Sequence, residues 1–354
     1  MGNRVAHIVQ RLAPGGLEVL VLELSRHLPG EHVIVSLEGD EKGLRDAWPR
    51  LRESVTPLVG MEKRPGLDFG LVFRLRALLR GRRIDSVFTH HAGPLLYGGT
   101  AARLAGVDRL IHVEHDVWQF DDPGRLRLMR LAAALTRPRV VGISDKMRGA
   151  LARVYPGRSV EIIANGVALD RYGADRDNAR RILGLDGSVP VVGAVGRLEP
   201  VKGHDLLIQA VAAMTPQPVL VIADDGSRRA ALEQLASSLG IAGRVRFLGH
   251  CDNIAQILPA FDVFCQPSRA EGLPFAVLEA QACGVRVVAT DVGDVASAVC
   301  PVSGRLAPPE DAAALAAALA AALAEPASVS PRAFVAAHFD WRDTLSAYAS
   351  LLKV

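Results

Sequence analysis

The stretch Pro267-Ser268-Arg269-Ala270-Glu271-Gly272-Leu273-Pro274-Phe275 follows an apolar run over 261–265 that reads as a short buried strand. Pro267 and the Glu271-Gly272 pair mark a loop. Pro274 sits where a first helical turn tolerates it, because its missing N–H would be unpaired there anyway. A helix start offers open N–H groups to an anion such as phosphate. Two carboxylates flank this one: Glu271 in the loop, and Glu279 about a turn and a half into the helix. A carboxylate beside a phosphate site is costly unless it has another task. Accepting hydrogen bonds from sugar hydroxyls is such a task, since one ionised carboxylate takes two. The spacing alone also fits a solvated helix with two surface acids.

A second constellation lies upstream. The apolar run 189–195 reads as a buried strand and delivers Gly196-Arg197-Leu198-Glu199-Pro200-Val201-Lys202-Gly203-His204. Arg197 and Lys202 then occupy a loop at the strand's carboxyl end, and Gly203 begins a helix. Two cations and two glycines at such a turn suit a diphosphate: Arg binds it bidentately and Lys acts as a point charge. Near the N-terminus, Gly15-Gly16 stand between a first strand and a first helix. They let backbone approach a ligand closely, or they make a plain tight turn. The pair is not G-x-G-x-x-G, so it carries no dinucleotide fingerprint. Histidines gather at two strand ends, His90-His91 after one and His112 and His115 around the next.

The elements that must position these residues alternate. In the first half, strands are expected over 5–9, 33–37, 55–59, 84–89, 109–113, 140–143 and 160–163. Helices are expected between them, up to about 27, and over 42–52, 67–79, 94–104, 123–135 and from a Ser144 cap to 154. In the second half, strands are expected over 189–195, 218–223, 245–248, 261–265 and 285–290. A short helix is expected over 178–183 and a strong Ala/Leu helix over 310–324. Repeated β-α-β units with Val/Ile-rich strands make a parallel sheet covered on both faces. Ligands of such sheets collect at the carboxyl ends of strands.

A chain of 354 residues fits two domains, and 49% hydrophobic with 22% charged residues excludes wholesale disorder. Charge is uneven: residues 1–170 hold 25 Lys+Arg against 19 Asp+Glu (+6), and the remainder 16 against 19 (−3). That is not the dense basic stripe of a nucleic-acid protein. It fits a first half that meets a lipid phosphate or a membrane surface, or scattered surface Arg. Two Arg-rich amphipathic stretches, 74–83 and 125–131, suit an anionic bilayer, or ordinary surface helices with snorkelling Arg. Cys251, Cys265, Cys283 and Cys300 form no C-x-x-C pair, so a reduced protein without a zinc site is expected. The N-terminal apolar stretch is short for a leader and no run reaches membrane-spanning length. The expectation is a cytoplasmic protein whose membrane contact is peripheral, at the inner face.

The Glu271–Glu279 spacing, with Gly-Leu-Pro after the first Glu and Ala-Gln-Ala-Cys-Gly after the second, resembles the Glu-x7-Glu motif of retaining GT-B glycosyltransferases of family four. Residues 196–203 are similar to that family's Gly-Arg-Leu-x-x-x-Lys-Gly, and 15–18 to its Gly-Gly-x-Glu loop. His115-Asp116 resembles its His-Asp site, Asn165-Gly166-Val167 its exit from the first domain, and 339–352 its C-terminal helix. Asp224 and Asp294 depart from the family, which has Gly at both places. The resemblance implies an α/β GT-B fold, two Rossmann-like domains facing across a cleft. Residues 1–170 would bind acceptor, 171–188 link, 189–330 bind nucleotide sugar, and 331–354 cross back as a helix. The implied reaction moves a sugar from a nucleotide diphosphate sugar, a UDP-sugar first, to an acceptor hydroxyl with retention, in polysaccharide, glycolipid or glycoside biosynthesis. Arg197 and Lys202 would neutralise the leaving diphosphate, with Gly272, Leu273, Pro274 and Phe275 forming the donor turn. Glu271 would orient the donor sugar, Glu279 hold the ribose, Gly249 meet the nucleobase, and Gly16 and His115 complete the site. No metal or other cofactor is expected. The acceptor would be a small molecule or a lipid-linked glycan, and no nucleic acid is involved. A nucleotide-sugar epimerase on the same fold and a non-catalytic partner protein are the alternatives.

Overall fold

The computed structural model describes residues 3–173, 175–187, 189–325 and 330–353. The chain forms two compact units, Met1–Ala164 with Asp343–Val354, and Asn165–Arg342.

The first unit is built on seven parallel strands: β1 (Arg4–Val9), β2 (Glu31–Ser36), β3 (Leu58–Gly60), β4 (Ser86–His90), β5 (Arg109–Glu114), β6 (Arg139–Gly142) and β7 (Val160–Ile162). Their order is β3-β2-β1-β4-β5-β6-β7, so the winding reverses between β1 and β4. The central strands are buried on both faces because helices cover both, and Val5, Ala6, Ile8 and Val9 of β1 are wholly buried. Helix Gly16–His27 turns Leu20, Val21 and Leu24 inward at helical spacing. The strand expected over 55–59 begins only at Leu58. Pro57 has no N–H to give a ladder, and Val55 is 87% exposed. The helix expected over 94–104 is broken by a π-helical turn, Leu95–Gly99, where Gly98 lies against Ile8. Ser144 does not cap: its carbonyl takes the N–H of Met147, where the helix starts.

The second unit holds six parallel strands: β8 (Val191–Val195), β9 (Val219–Ala223), β10 (Val245–Gly249), β11 (Val263–Gln266), β12 (Arg286–Thr290) and β13 (Arg305–Ala307). The order β10-β9-β8-β11-β12-β13 reverses between β8 and β11. The Ala/Leu run forms helix Ala312–Ala324, capped by Asp311, whose side chain accepts from Ala314 N. Leu315 and Leu319 pack it into the core with Leu207, Val211 and Leu220.

Two segments differ from expectation. Residues 171–188, read as a linker, are an integral part of the second unit (Ala174 and Ser188 lie outside the described residues). Helix Arg176–Ile182 buries Arg180, which donates to the Asp262 carboxylate at 2.8 Å and to the carbonyls of Asp186, Gly187 and Val189. Four guanidinium hydrogen bonds made in place turn what composition presents as a polar spacer into an anchor. The 331–354 region is two helices. Pro331–His338 stays in the second unit against helix Phe275–Ala282, and Trp341–Leu351 belongs to the first from Asp343 onward. There Tyr348 packs on Phe88, and Thr344 Oγ1 donates to the Ala164 carbonyl at 2.9 Å.

Candidate active site

In a doubly wound sheet, the carboxyl ends of the two strands flanking the reversal leave a crevice. In the second unit those strands are β8 and β11. The loop after β8 carries Arg197 and Lys202, and the loop after β11 carries Glu271 to Phe275. Gly203 stands at φ +65°, and a Cβ there would lie 2.0 Å from the Pro267 carbonyl oxygen. Gly293 stands at φ +54°, and a Cβ there would lie 1.9 Å from the Glu271 carbonyl oxygen. Both glycines are therefore required for the loops to approach. Arg269 tightens the same junction, holding Asp205 through two bonds of 2.8 Å.

Glu271 is 10% exposed, and its Oε1 accepts from Lys202 Nζ at 2.6 Å, Ser268 Oγ at 2.7 Å and Gln266 Nε2 at 2.9 Å. Three donors on one oxygen fix the position of the side chain. Lys202 keeps two of its three ammonium donors for another anion. Arg197 is exposed on the same loop and is not drawn into this cluster. Pro274 caps helix Phe275–Ala282 from outside and makes no side-chain bond to it, which leaves the first-turn N–H groups without a helical partner. Gly203 likewise precedes its helix, His204–Ala213, as a left-handed cap. Glu279 projects from the second turn of Phe275–Ala282, and its Oε1 accepts from the Tyr172 hydroxyl at 2.7 Å. Burial first, and the Glu279 charge second, hold the Tyr172 phenol well above its usual range, so it stays a donor.

Around this set stand residues that no spacing announced. Glu199 accepts from the Ser227 hydroxyl at 2.7 Å and the Ser227 N–H at 3.1 Å, which holds its carboxyl below the usual range. His204 Nε2 meets the Gly196 carbonyl at 3.0 Å, and burial pushes its imidazole down to about 4. Gly249 ends β10 at φ +72°, its carbonyl taking the N–H of Asp224 at 2.8 Å. Asp224 adopts φ +106°, a conformation that favours glycine, and its side chain meets His250 at 3.4 Å. The Gly-to-Asp departure thus keeps a backbone shape that suits Gly better. Asp294 is buried beside Gly293.

In the first unit the reversal lies between β1 and β4. Gly16 is the first residue of its helix, and Gly15 before it has extended backbone that any residue adopts. His115 follows β5, with Nε2 3.0 Å from His90 Nδ1 and its ring 5.4 Å from that of His91. The His90 ring lies near that of His7, which in turn meets His32 at 3.1 Å. Burial first, and neighbouring imidazoles second, hold His7, His90 and His115 well below the usual imidazole range, so all three are neutral at pH 7. His112 points elsewhere, to Thr89 and to a fully buried Glu114 that Tyr155 also holds. The two histidines that bracket the end of β5 therefore have separate surroundings.

Comparison with known proteins agrees with this arrangement. A family model described as Glycosyltransferase Family 4 matches residues 14–171, and one described as Glycosyl transferases group 1 matches residues 175–336. The GDP-mannose-dependent alpha-(1-6)-phosphatidylinositol monomannoside mannosyltransferase of Mycolicibacterium smegmatis is 30% identical over 343 residues, 89% of this chain and 87% of that one. The chain belongs to the family-four glycosyltransferases. The chain is also 36% identical to the D-inositol 3-phosphate glycosyltransferase of Rhodococcus opacus over 222 residues, 58% of its own length. That match spans 48%, about half, of the relative's length. Anabaena Alr3699/HepE, solved in complex with UDP and glucose, shares the fold at a TM-score of 0.84 and 22% identity, with 98% of each chain covered. The chain has the GT-B fold, with a Rossmann-like sheet in each unit.

Proposed function

We propose that this glycosyltransferase moves a sugar from a nucleotide diphosphate sugar to an acceptor hydroxyl with retention at the anomeric carbon. The observation that carries the reading is the Lys202–Glu271 ion pair at 2.6 Å, which joins two motifs 69 residues apart at the reversal of the six-stranded sheet. Lys202 and Arg197 meet the diphosphate, and the first-turn N–H groups of Phe275–Ala282 add a helix dipole. Fixed positive charge stabilises the leaving diphosphate where a metal does so elsewhere. Glu271, pinned by three donors, orients the sugar. Glu279, aligned by Tyr172, takes the ribose hydroxyls. In front-face transfer the anomeric C–O bond to phosphate breaks as the acceptor oxygen bonds the same face. The acceptor's proton passes to the leaving phosphate oxygen. His115, neutral and oriented by His90, is a hydrogen-bonding partner for a sugar hydroxyl, and Gly16 belongs to the same edge of the first unit.

The acceptor is a lipid-linked glycan or a small polyol, met at the cytoplasmic face of a membrane. Relatives named for phosphatidylinositol monomannoside and inositol 3-phosphate support that class. The test is a panel of UDP-, GDP- and ADP-sugars with EDTA present, followed by nucleotide release and thermal shift. Release from one donor, a UDP-sugar first, abolished by Arg197→Ala or Glu279→Ala, is the expected result. Anomeric NMR of the product reads retention. Failure of every donor to bind would overturn the assignment of the second unit.

A further inference from the structure

We propose that one helix layer of the first unit is a docking surface for an anionic lipid bilayer. Helices Phe69–Gly81, Thr100–Ala105 and Pro123–Thr136 follow β3, β4 and β5 and pack side by side. Right-handed crossovers put all three on one face of the sheet. Their inner faces are filled, by Leu71, Leu75 and Leu79 in the first and by Met129, Ala132 and Ala133 in the third. An outer face should then be polar. Instead Leu67 is 70%, Phe69 74%, Phe73 65%, Leu104 50%, Leu131 55% and Leu135 60% exposed. Phe69 and Phe73 stand one helical turn apart, as do Leu131 and Leu135, so each pair makes a stripe. Arg76 Nε donates to the Leu104 carbonyl at 2.9 Å, and Arg103 to the Arg137 carbonyl at 2.9 Å. These bonds tie the three helices into one surface.

Charge decides what covers it. Segments 69–83 and 123–137 hold five and four Arg, nine in all, and no Asp or Glu. A second copy seated on this face would set Arg against Arg. Nucleic acid would meet the guanidinium groups and leave the phenyl and leucyl groups in water. An anionic bilayer accommodates both, with rings at the headgroup–acyl boundary and guanidinium groups on lipid phosphate. The inference deepens the lipid-linked acceptor reading by naming the surface. Its test does not depend on transfer.

The full chain would be sedimented with vesicles of equal phosphatidylglycerol and phosphatidylcholine, and with phosphatidylcholine alone. Binding to the mixed vesicles only, weakened by salt, is expected. The paired variant Phe69→Ser with Phe73→Ser, and separately Arg80→Glu with Arg82→Glu, should each lower the partition coefficient at least ~10-fold. These side chains are exposed, so the melting temperature should hold, and gel filtration of each variant reports self-association. No vesicle binding by the parent, or equal binding by both variants, would overturn the proposal. So would a dimer dissolved by the Phe variant, or duplex DNA bound, in a chain that ignores vesicles. Vesicle binding by a chain that turns over no donor would remove the transferase reading and leave this one standing.

Discussion

The two sheets reverse their winding in the same way, yet the edges at those reversals differ in electrostatics. In the second unit, Lys202, Glu271, Glu279 and Arg197 bring full charges to the switch point, and a carboxylate of 10% exposure is matched by an ammonium at 2.6 Å. In the first unit the corresponding edge carries His90, His91 and His115, and burial keeps two of them neutral. One topology therefore hosts two chemistries. Fixed cations suit a ligand that brings its own negative charge. Neutral imidazoles suit hydroxyls, which need a donor or an acceptor and would gain nothing from a net charge.

The contrast breaks most readily at Lys202. Lys202→Ala removes a cation from the proposed leaving group and strands Glu271 on two neutral donors. Nucleotide release should fall ~10²–10³-fold. His115→Gln keeps a hydrogen-bonding group in a neutral setting and should cost about tenfold. If His115→Gln costs more than Lys202→Ala, the chemistry is not driven by charge on the second unit.

Acid should separate the units next. An imidazole held below its unfolded value of 6.5 lets the unfolded chain bind more protons between the two values. Stability from neutral burial is complete above pH 6.5 and is lost as pH falls below it. By pH 5 the loss is at most about 2 kcal/mol for each such histidine. The first unit has His7, His90 and His115 in this state, whereas in the second His204 is lowered to about 4. Amide exchange at pH 5 should therefore open β1 and β4 before β8 and β11. Simultaneous opening would mean the histidine cluster is not what limits the first unit.

The same contrast explains what can be read from sequence. Arg197, Lys202, Glu271 and Glu279 are charged, sit beside Gly and Pro, and follow Val/Ile-rich strands, so type and spacing locate them. Their partners are not legible. Gln266 and Ser268 touch Glu271 because β11 ends there, and Tyr172 reaches Glu279 from 107 residues away. Ordinary polar residues acquire such roles only through packing. His115 is visible in sequence, but its partner His90 is not distinguishable there from His91. The order of the fold is legible from alternation of strands and helices. β13 is not, because three residues make no apolar run. Neither is the anchoring of 171–188, which depends on Asp262 across the chain meeting Arg180.

Backbone substitutions sharpen the comparison further, with smaller effects. Gly203→Ala would drive a Cβ into the Pro267 carbonyl at a left-handed φ, costing about 1–3 kcal/mol. Because Pro267 begins the loop that carries Glu271, nucleotide release should fall together with the urea midpoint. A loss of stability with unchanged release would show that the loop tolerates displacement.

Asp224→Gly is the mildest test and has the opposite sign. Asp224 stands at φ +106°, so glycine there relieves backbone strain of order 1 kcal/mol or more. Part of that gain is returned as unfolded-chain entropy. The bond lost with the carboxylate is a 3.4 Å contact to His250, with side chains 24% and 34% exposed, and such pairs contribute little. The backbone bond from Asp224 N to the Gly249 carbonyl needs no side chain and should survive. A net gain of about 0.5–1 kcal/mol in urea unfolding is expected. A net loss would mean that the carboxylate anchors the β9–β10 edge more firmly than its exposure suggests. Donor affinity measured on the same variant would then tell whether that anchoring serves the nucleotide, since the strained residue sits against Gly249, where the base is expected to bind.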